Sequence, residues 1–179
     1  MYQDILVVDN FFDNFELIKK DLRNHEFYDV EYWKQYLDPG AAYSWPGKRT
    51  KNLSESNPYL QALILETFQK KFNDALKSEF PLIFGLCALH LRKEEDEQKD
   101  WIHKDDGISD FTMLVYLSET NYSSGTKFYD EDKNCTATVN FVQNRAVLFG
   151  KDILHSAFGH HGKTYDDARL TLNCFLEKV

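Results

Sequence analysis

The sequence predicts an α+β fold in which short strands close into a barrel or double-sheet jelly roll, backed by helices near the N-terminus. Three observations carry that prediction. Apolar residues recur at helical spacing in the first half, short β-rich runs follow one another after Phe80, and turn residues separate several of those runs. The chain has 179 residues, a length that suits a single domain over 1–179, with a helical N-terminal part to about residue 80 and a β-rich core from about residue 81. At 42% hydrophobic and 15% aromatic, with ten Tyr and fourteen Phe, it has enough apolar side chain to build one core.

A short apolar run, Ile5 to Val8, comes first. Asp13 with Glu16 then forms a capping-box-like start, and Phe15, Ile18 and Leu22 recur at helical spacing, which predicts one amphipathic helix. A second helix is marked by Asn57 as its cap, Pro58 in its first turn, and Leu60, Ile64, Phe68, Phe72 and Leu76 along one face, which should pack on a sheet. Between them, residues 26–56 lose clear periodicity and carry turn signals at Asp38-Pro39-Gly40 and Trp45-Pro46-Gly47. The aromatics of this segment, Tyr32, Trp33, Tyr36, Tyr43 and Trp45, suit either of two roles: a lid over an apolar site, or a loop that completes the core.

Strands are predicted at 82–92, 110–118, 126–130, 136–142, 145–149, 152–157 and 168–177. Ser123-Ser124-Gly125, Asn144 and Gly150-Lys151-Asp152 are the turn residues between them, and the acidic run Glu94-Glu95-Asp96-Glu97 reads as a solvated loop.

The formal net charge of −8 opposes attraction to nucleic-acid phosphates and to anionic lipid, so neither a nucleic acid nor a membrane is the expected partner. Cys87, Cys135 and Cys174 are odd in number and lack CxxC spacing, which indicates neither a disulfide framework nor a thiolate zinc site. The opening MYQDILVVDNFF has no signal-peptide pattern, and the longest apolar run, PLIFGLCALHL, is too short to cross a bilayer. A cytoplasmic location is expected.

The stretch Trp101-Ile102-His103-Lys104-Asp105-Asp106 is the first chemical signal. Side chains two apart in a strand share a face, so His103 and Asp105 can converge on one ion while Lys104 and Asp106 face the other way. A lone H-x-D is common as a surface charge pair and needs a partner. His155, in the strand-like run Asp152 to Ala157 behind Ala146-Val147-Leu148-Phe149, sits on a rigid element as a ligand should. His160 and His161 lie in a glycine-flanked loop and read as exposed, whereas His25 and His90 read as packed or hydrogen-bonded. Two imidazoles and one carboxylate suit a non-haem Fe(II) facial triad, and the same ligand types also suit Zn(II).

In the last strand Leu170, Leu172, Cys174 and Leu176 form one face and Arg169, Thr171 and Asn173 the other. Either the polar face lies in water at a sheet edge, or both faces are buried and Arg169 requires an anion inside the barrel. A carboxylate-bearing cosubstrate answers that need by a bidentate contact. Tyr116, which alternates with Met113, Val115 and Leu117, either donates its hydroxyl to the same anion or is an ordinary sheet aromatic.

Taken together, His103-x-Asp105, Tyr116-Leu117-Ser118, Gly125-Thr126-Lys127-Phe128, Leu148-Phe149 ahead of His155, and Arg169-Leu170-Thr171 resemble the Fe(II)/2-oxoglutarate-dependent dioxygenase superfamily. The prolyl 4-hydroxylase-like branch, with its small phage-type members, is the nearest in pattern. The likeness spans residues 82–177, and Ile5 to Phe11 and Trp45-Pro46-Gly47-Lys48-Arg49 are similar to the first strand and the Pro-Gly-x-Arg segment of such small members. Ser124-Gly125 stands where many relatives have Gly-Gly, a difference expected to alter only a turn.

The resemblance implies a double-stranded β-helix, cupin-like in form, with Fe(II) held by His103, Asp105 and His155. It also implies 2-oxoglutarate as cosubstrate, its distal carboxylate on Arg169 assisted by Thr171 and Tyr116. The implied reaction is hydroxylation of an unactivated C–H bond by dioxygen, of a prolyl or other amino-acid side chain in a peptide or protein, or of a small metabolite, with release of succinate and carbon dioxide. Lys48 or Arg49 can contact an acidic or carboxylate-bearing substrate. Two alternatives stay open: a non-catalytic cupin-like binding protein, and a nucleobase-directed oxygenase. The latter family carries a second arginine in its last strand, where this chain has Asn173 and Phe175.

Overall fold

A computed structural model describes residues 5–36, 45–76, 82–96, 101–105, 107, 109–159 and 161–178. Asp38-Pro39-Gly40, Tyr43, Glu97, Asp106 and His160 lie outside these described residues. The strands after Phe80 run as β3 (Leu82–Arg92), β4 (Phe111–Tyr116), β5 (Asn121–Tyr129), β6 (Cys135–Phe141), β7 (Arg145–Gly150), β8 (Leu154–Phe158) and β9 (Arg169–Lys178). The first half adds β1 (Leu6–Val8) and β2 (Lys48–Arg49), with helices α1 (Phe15–Leu22), α2 (Val30–Lys34), α3 (Leu53–Ser56) and α4 (Pro58–Leu76).

Two antiparallel sheets result, a major one in the order β1-β7-β4-β9-β3-β2 and a minor one in the order β6-β5-β8, the arrangement of a jelly roll. Leu114, Tyr116, Val147 and Phe149 of the major sheet meet Phe128, Val139 and Phe141 of the minor sheet in a small core between them. A larger core lies on the other face of the major sheet. There Met113, Val115, Leu148, Leu170, Leu172 and Cys174 pack with Ile18 and Leu22 of α1 and Leu60, Ile64, Phe68 and Phe72 of α4. The α4 face is the predicted one, and Asn57 caps it by accepting from the Leu60 N–H at 3.0 Å. The Leu76 side chain is outside the described residues.

The structure departs from the sequence expectation in three places. Asn14, not Asp13, occupies the α1 cap and makes no side-chain cap bond, because Asp13 is drawn to Lys70 and Lys71 of α4 at 2.6 and 3.0 Å. Ser123-Ser124-Gly125, predicted as a turn, lies inside β5, where an irregularity in the pairing with β6 between Asn121 and Gly125 takes up these small residues. The region 26–56, read as aperiodic, contains α2, β2 and α3. Asn144 does turn the chain, with φ 62°, and its side-chain amide bonds both the N–H and the C=O of Phe12 at 2.9 Å, anchoring the N-terminal segment.

Strand β9 lies between β4 and β3 and so is no edge, and its residues are buried on both faces from Arg169 to Thr171, so the reading of its polar face as a solvated edge is overturned. Cys87 and Cys174 are register partners across β3 and β9, with free thiols whose Sγ atoms lie 2.9 Å apart. Burial pushes the Cys174 thiol well up. No helix among the described residues is long and apolar enough to cross a membrane.

Candidate metal centre

Strand pairing brings the two histidines together. His103 and His155 exchange backbone hydrogen bonds, N–H to O, at 3.0 and 2.9 Å, so a short bridge extends the minor sheet beyond β8. Alternation then puts Asp105 on the same side as His103, and the Asp105 N–H is tied to the Lys151 carbonyl at 3.2 Å. One ligand atom from each of His103, Asp105 and His155 lies within 4.8 Å of the other two. The His103 Nε2 is 3.8 Å from one Asp105 carboxylate oxygen and the His155 Nε2 is 3.6 Å from the other.

The surroundings aim these atoms. The Nδ1–H groups of His103 and His155 donate to the carbonyls of Trp101 and Ile153, each at 3.0 Å, which fixes the tautomer and leaves both Nε2 lone pairs turned inward. Thr112 of β4 donates to Asp105 Oδ2 at 2.6 Å and orients the carboxylate. Burial pulls His155 below the usual histidine range, a shift opposed by Asp105 and reinforced by His103, so the imidazole is held neutral as ligation requires. Two imidazoles and a carboxylate, each tied behind by a hydrogen bond, fit a divalent transition metal.

Above the triad lies a cavity of about 110 Å³, walled by His103, His155, Leu114, Thr126, Arg169 and Thr171 among others. Arg169 is 6% exposed and donates to the Gly125 carbonyl at 3.1 Å and to Thr126 Oγ1 at 3.4 Å. A Cβ at Gly125 would stand 2.1 Å from the Val139 carbonyl oxygen, so only glycine fits where that Arg169 acceptor is placed. Thr171 lines the cavity and donates to Asn173 at 2.7 Å. Tyr116 sits behind Thr126: its hydroxyl donates to Thr126 Oγ1 at 2.8 Å, its ring stacks on Phe141 with centroids 4.4 Å apart, and the Arg169 guanidinium lies 5.4 Å from its centroid. Burial raises the Tyr116 pKa and Arg169 moderates the rise, so the phenol stays protonated as a donor.

Sequence reasoning did not single out Thr112, Thr126 or Asn173 as site residues. Their signal was present in the alternation, since Thr112 shares a face with Tyr116 and Asn173 shares one with Arg169. His90 makes the hydrogen bond expected of it, Nε2–H to the Pro46 carbonyl at 2.5 Å, yet it also lines the cavity. His161, predicted as exposed, is half-buried, has a partner and is not one of the triad, whereas Lys104 pairs with Glu131 at 3.0 Å.

No protein-family model matches the chain, and no curated protein matches it by sequence. Solved structures do match its fold. A 2OG-Fe(II) oxygenase family oxidoreductase from Burkholderia pseudomallei superposes with TM-score 0.66 at 12% identity, over 96% of this chain and 83% of that one. HygX from Streptomyces hygroscopicus, with nickel and 2-oxoglutarate bound, gives 0.66 at 14% identity over 98% and 83%. A prolyl 4-hydroxylase structure from Phytophthora capsici gives 0.61 at 17% identity over 98% of this chain and 59% of the other. The chain therefore shares the double-stranded β-helix fold of 2-oxoglutarate oxygenases.

Proposed function

We propose that this chain is a single-domain Fe(II)- and 2-oxoglutarate-dependent oxygenase that hydroxylates an unactivated C–H bond. The observation that carries the proposal is the convergence of His103, Asp105 and His155 at a cavity whose wall also holds the buried Arg169. His103 and His155 supply Nε2 donors and Asp105 a carboxylate that lowers the net charge of the metal site. Arg169 takes the distal carboxylate of the cosubstrate, Thr171 stands beside it on the same strand face, and Tyr116 acts from behind by holding the Thr126 hydroxyl. Bound there, Fe(II) and 2-oxoglutarate would activate dioxygen, the oxidant, one of whose oxygen atoms would go to the succinate formed with release of carbon dioxide and the other to the substrate C–H bond. The apolar wall at Leu114 and Ala157 limits water beside the reacting centre. Metal and 2-oxoglutarate bound to a structure of the same fold support the cofactor assignment. The odd number of cysteines and their lack of CxxC spacing suit a reducing compartment such as the cytoplasm.

The test is substrate-independent. Protein incubated with Fe(II), 2-oxoglutarate and oxygen should form succinate slowly, and Asp105→Ala should form none. Tight metal binding with no succinate under any condition would instead identify a non-catalytic binding protein.

A further inference from the structure

We propose that Arg49 anchors the substrate: it binds the carboxylate of a small molecule whose apolar or aromatic body lies in the groove next to the metal cavity. This rests on the oxygenase reading and names the class of molecule it acts on.

Arg49 is on the edge strand β2, held by backbone bonds to Tyr28 in both directions at 2.9 Å. Gly47, at φ +80° and with no room for a Cβ beside the Leu91 carbonyl, sets the turn that delivers it. Alternation leaves Lys48 exposed and turns Arg49 inward, over the Trp45 ring at 4.5 Å. Its Nε is buried without a hydrogen-bond partner. Removal from water pulls the guanidinium down to about 10, and Asp105 opposes the shift.

Among the described residues no carboxylate pairs with this guanidinium, and Asp105 acts on it only from a distance. His90, its register partner on β3, is kept neutral well below the usual histidine range by burial and by Arg49 itself, and its Nε2–H is directed at Pro46. Asp105 is shared between Thr112 and the two histidines. With a metal dication bound, that ion and the guanidiniums of Arg49, Arg92 and Arg169 outnumber the Asp105 carboxylate and the two carboxylates of 2-oxoglutarate, a positive balance at the cavity that favours a substrate anion.

Position separates the two arginines. In the sheet, β2 and β9 are two strand spacings apart, roughly 9.5 Å between backbones, with Arg49 in line with His90 and Thr171. This spacing leaves room for Arg49 to hold an anion other than the one assigned to Arg169. Arg49 and Trp45 also line both the metal cavity of about 110 Å³ and a groove of about 560 Å³ walled by Tyr32, Trp33 and Tyr36. A substrate too large for the inner cavity lies in this groove and passes Arg49 to reach the metal. The aromatic wall selects its apolar or planar body, and the guanidinium selects its charge.

Anaerobic protein loaded with Fe(II) and 2-oxoglutarate, followed by its charge-transfer absorption, is titrated with phenylacetate and with the neutral phenylacetamide. The band before any probe is added tests the oxygenase reading on its own. Phenylacetate should perturb the band, phenylacetamide should bind about tenfold more weakly, and Arg49→Gln should keep the band but bind phenylacetate about tenfold more weakly than wild type. Equal binding of the two probes, no response to millimolar phenylacetate, or unchanged affinity in Arg49→Gln overturns the proposal. So does loss of the band in Arg49→Gln, which would move Arg49 to the cosubstrate. A second readout needs no ligand: Arg49→Met should raise the melting temperature of the metal-free protein by removing a desolvated charge, and a fall would mark Arg49 as structural and overturn the assignment.

Discussion

The two faces of the major sheet are built from the same strands and behave as different materials. On the helix side β9 presents Leu170, Leu172 and Cys174, β4 presents Met113 and Val115, and β3 presents Leu89 and Leu91, all in the larger core. One residue along in each strand, the inner side presents Arg169, Thr171 and Asn173, then Thr112 and Tyr116, then His90 and Arg92. The outer face stabilises the fold through apolar burial, at about 25 cal/mol per Å². The inner face adds a small apolar core around Leu114, Val147 and Phe149 to buried cations and histidines, whose desolvation costs stability. A period of two thus separates scaffold from site residue by residue.

Substitutions can break that division. Leu172→Ala, at a side chain 1% exposed, should destabilise the fold by about 2–5 kcal/mol in urea unfolding, with metal and 2-oxoglutarate affinities unchanged in the folded fraction. Its inner-face counterpart Arg169→Ala should show the reverse pattern. Calorimetry should find 2-oxoglutarate binding weakened about 30-fold or more, metal affinity nearly intact, and a much smaller change in unfolding free energy than Leu172→Ala.

A finer cut comes from Thr112→Val, which removes only the hydroxyl that orients Asp105. Metal affinity should fall by about 10–100-fold while the carboxylate ligand remains. If Thr112→Val binds metal as wild type does, the orienting role is wrong.

The smallest effect is one of pH. Burial holds His90 well below its unfolded value of about 6.5, so below that pH the unfolded chain binds the proton first. The contribution is therefore fully present above about pH 6.5 and is lost as pH falls toward the folded pKa. His155 is shifted in the same direction. Denaturant titrations of the metal-free protein should show stability falling with pH in this window, and His90→Gln should flatten part of the slope while leaving the His155 share.

Much of the inner face is legible in the amino-acid sequence. Alternation selects Asp105 over Asp106 and puts Arg169 with Thr171, and the capped, four-spaced face of α4 is readable because its signals are local. What the sequence hides is set by residues far along the chain. Whether Arg169 meets water or an interior depends on the minor sheet, whose Gly125 and Thr126 meet it from more than forty positions away, and the α1 cap depends on lysines more than fifty positions away. Arg49 stands out only as one of two neighbouring cations, because a two-residue strand has too little sequence to declare its inward side.

The central claim is that His103, Asp105 and His155 form a metal centre that takes 2-oxoglutarate beside it. Anaerobic addition of Fe(II) and 2-oxoglutarate to the purified protein tests it directly by visible absorption. A charge-transfer band should appear with both present, be absent with either alone, and be lost in Asp105→Ala. No band in the wild type, or identical spectra from wild type and Asp105→Ala, would contradict the account.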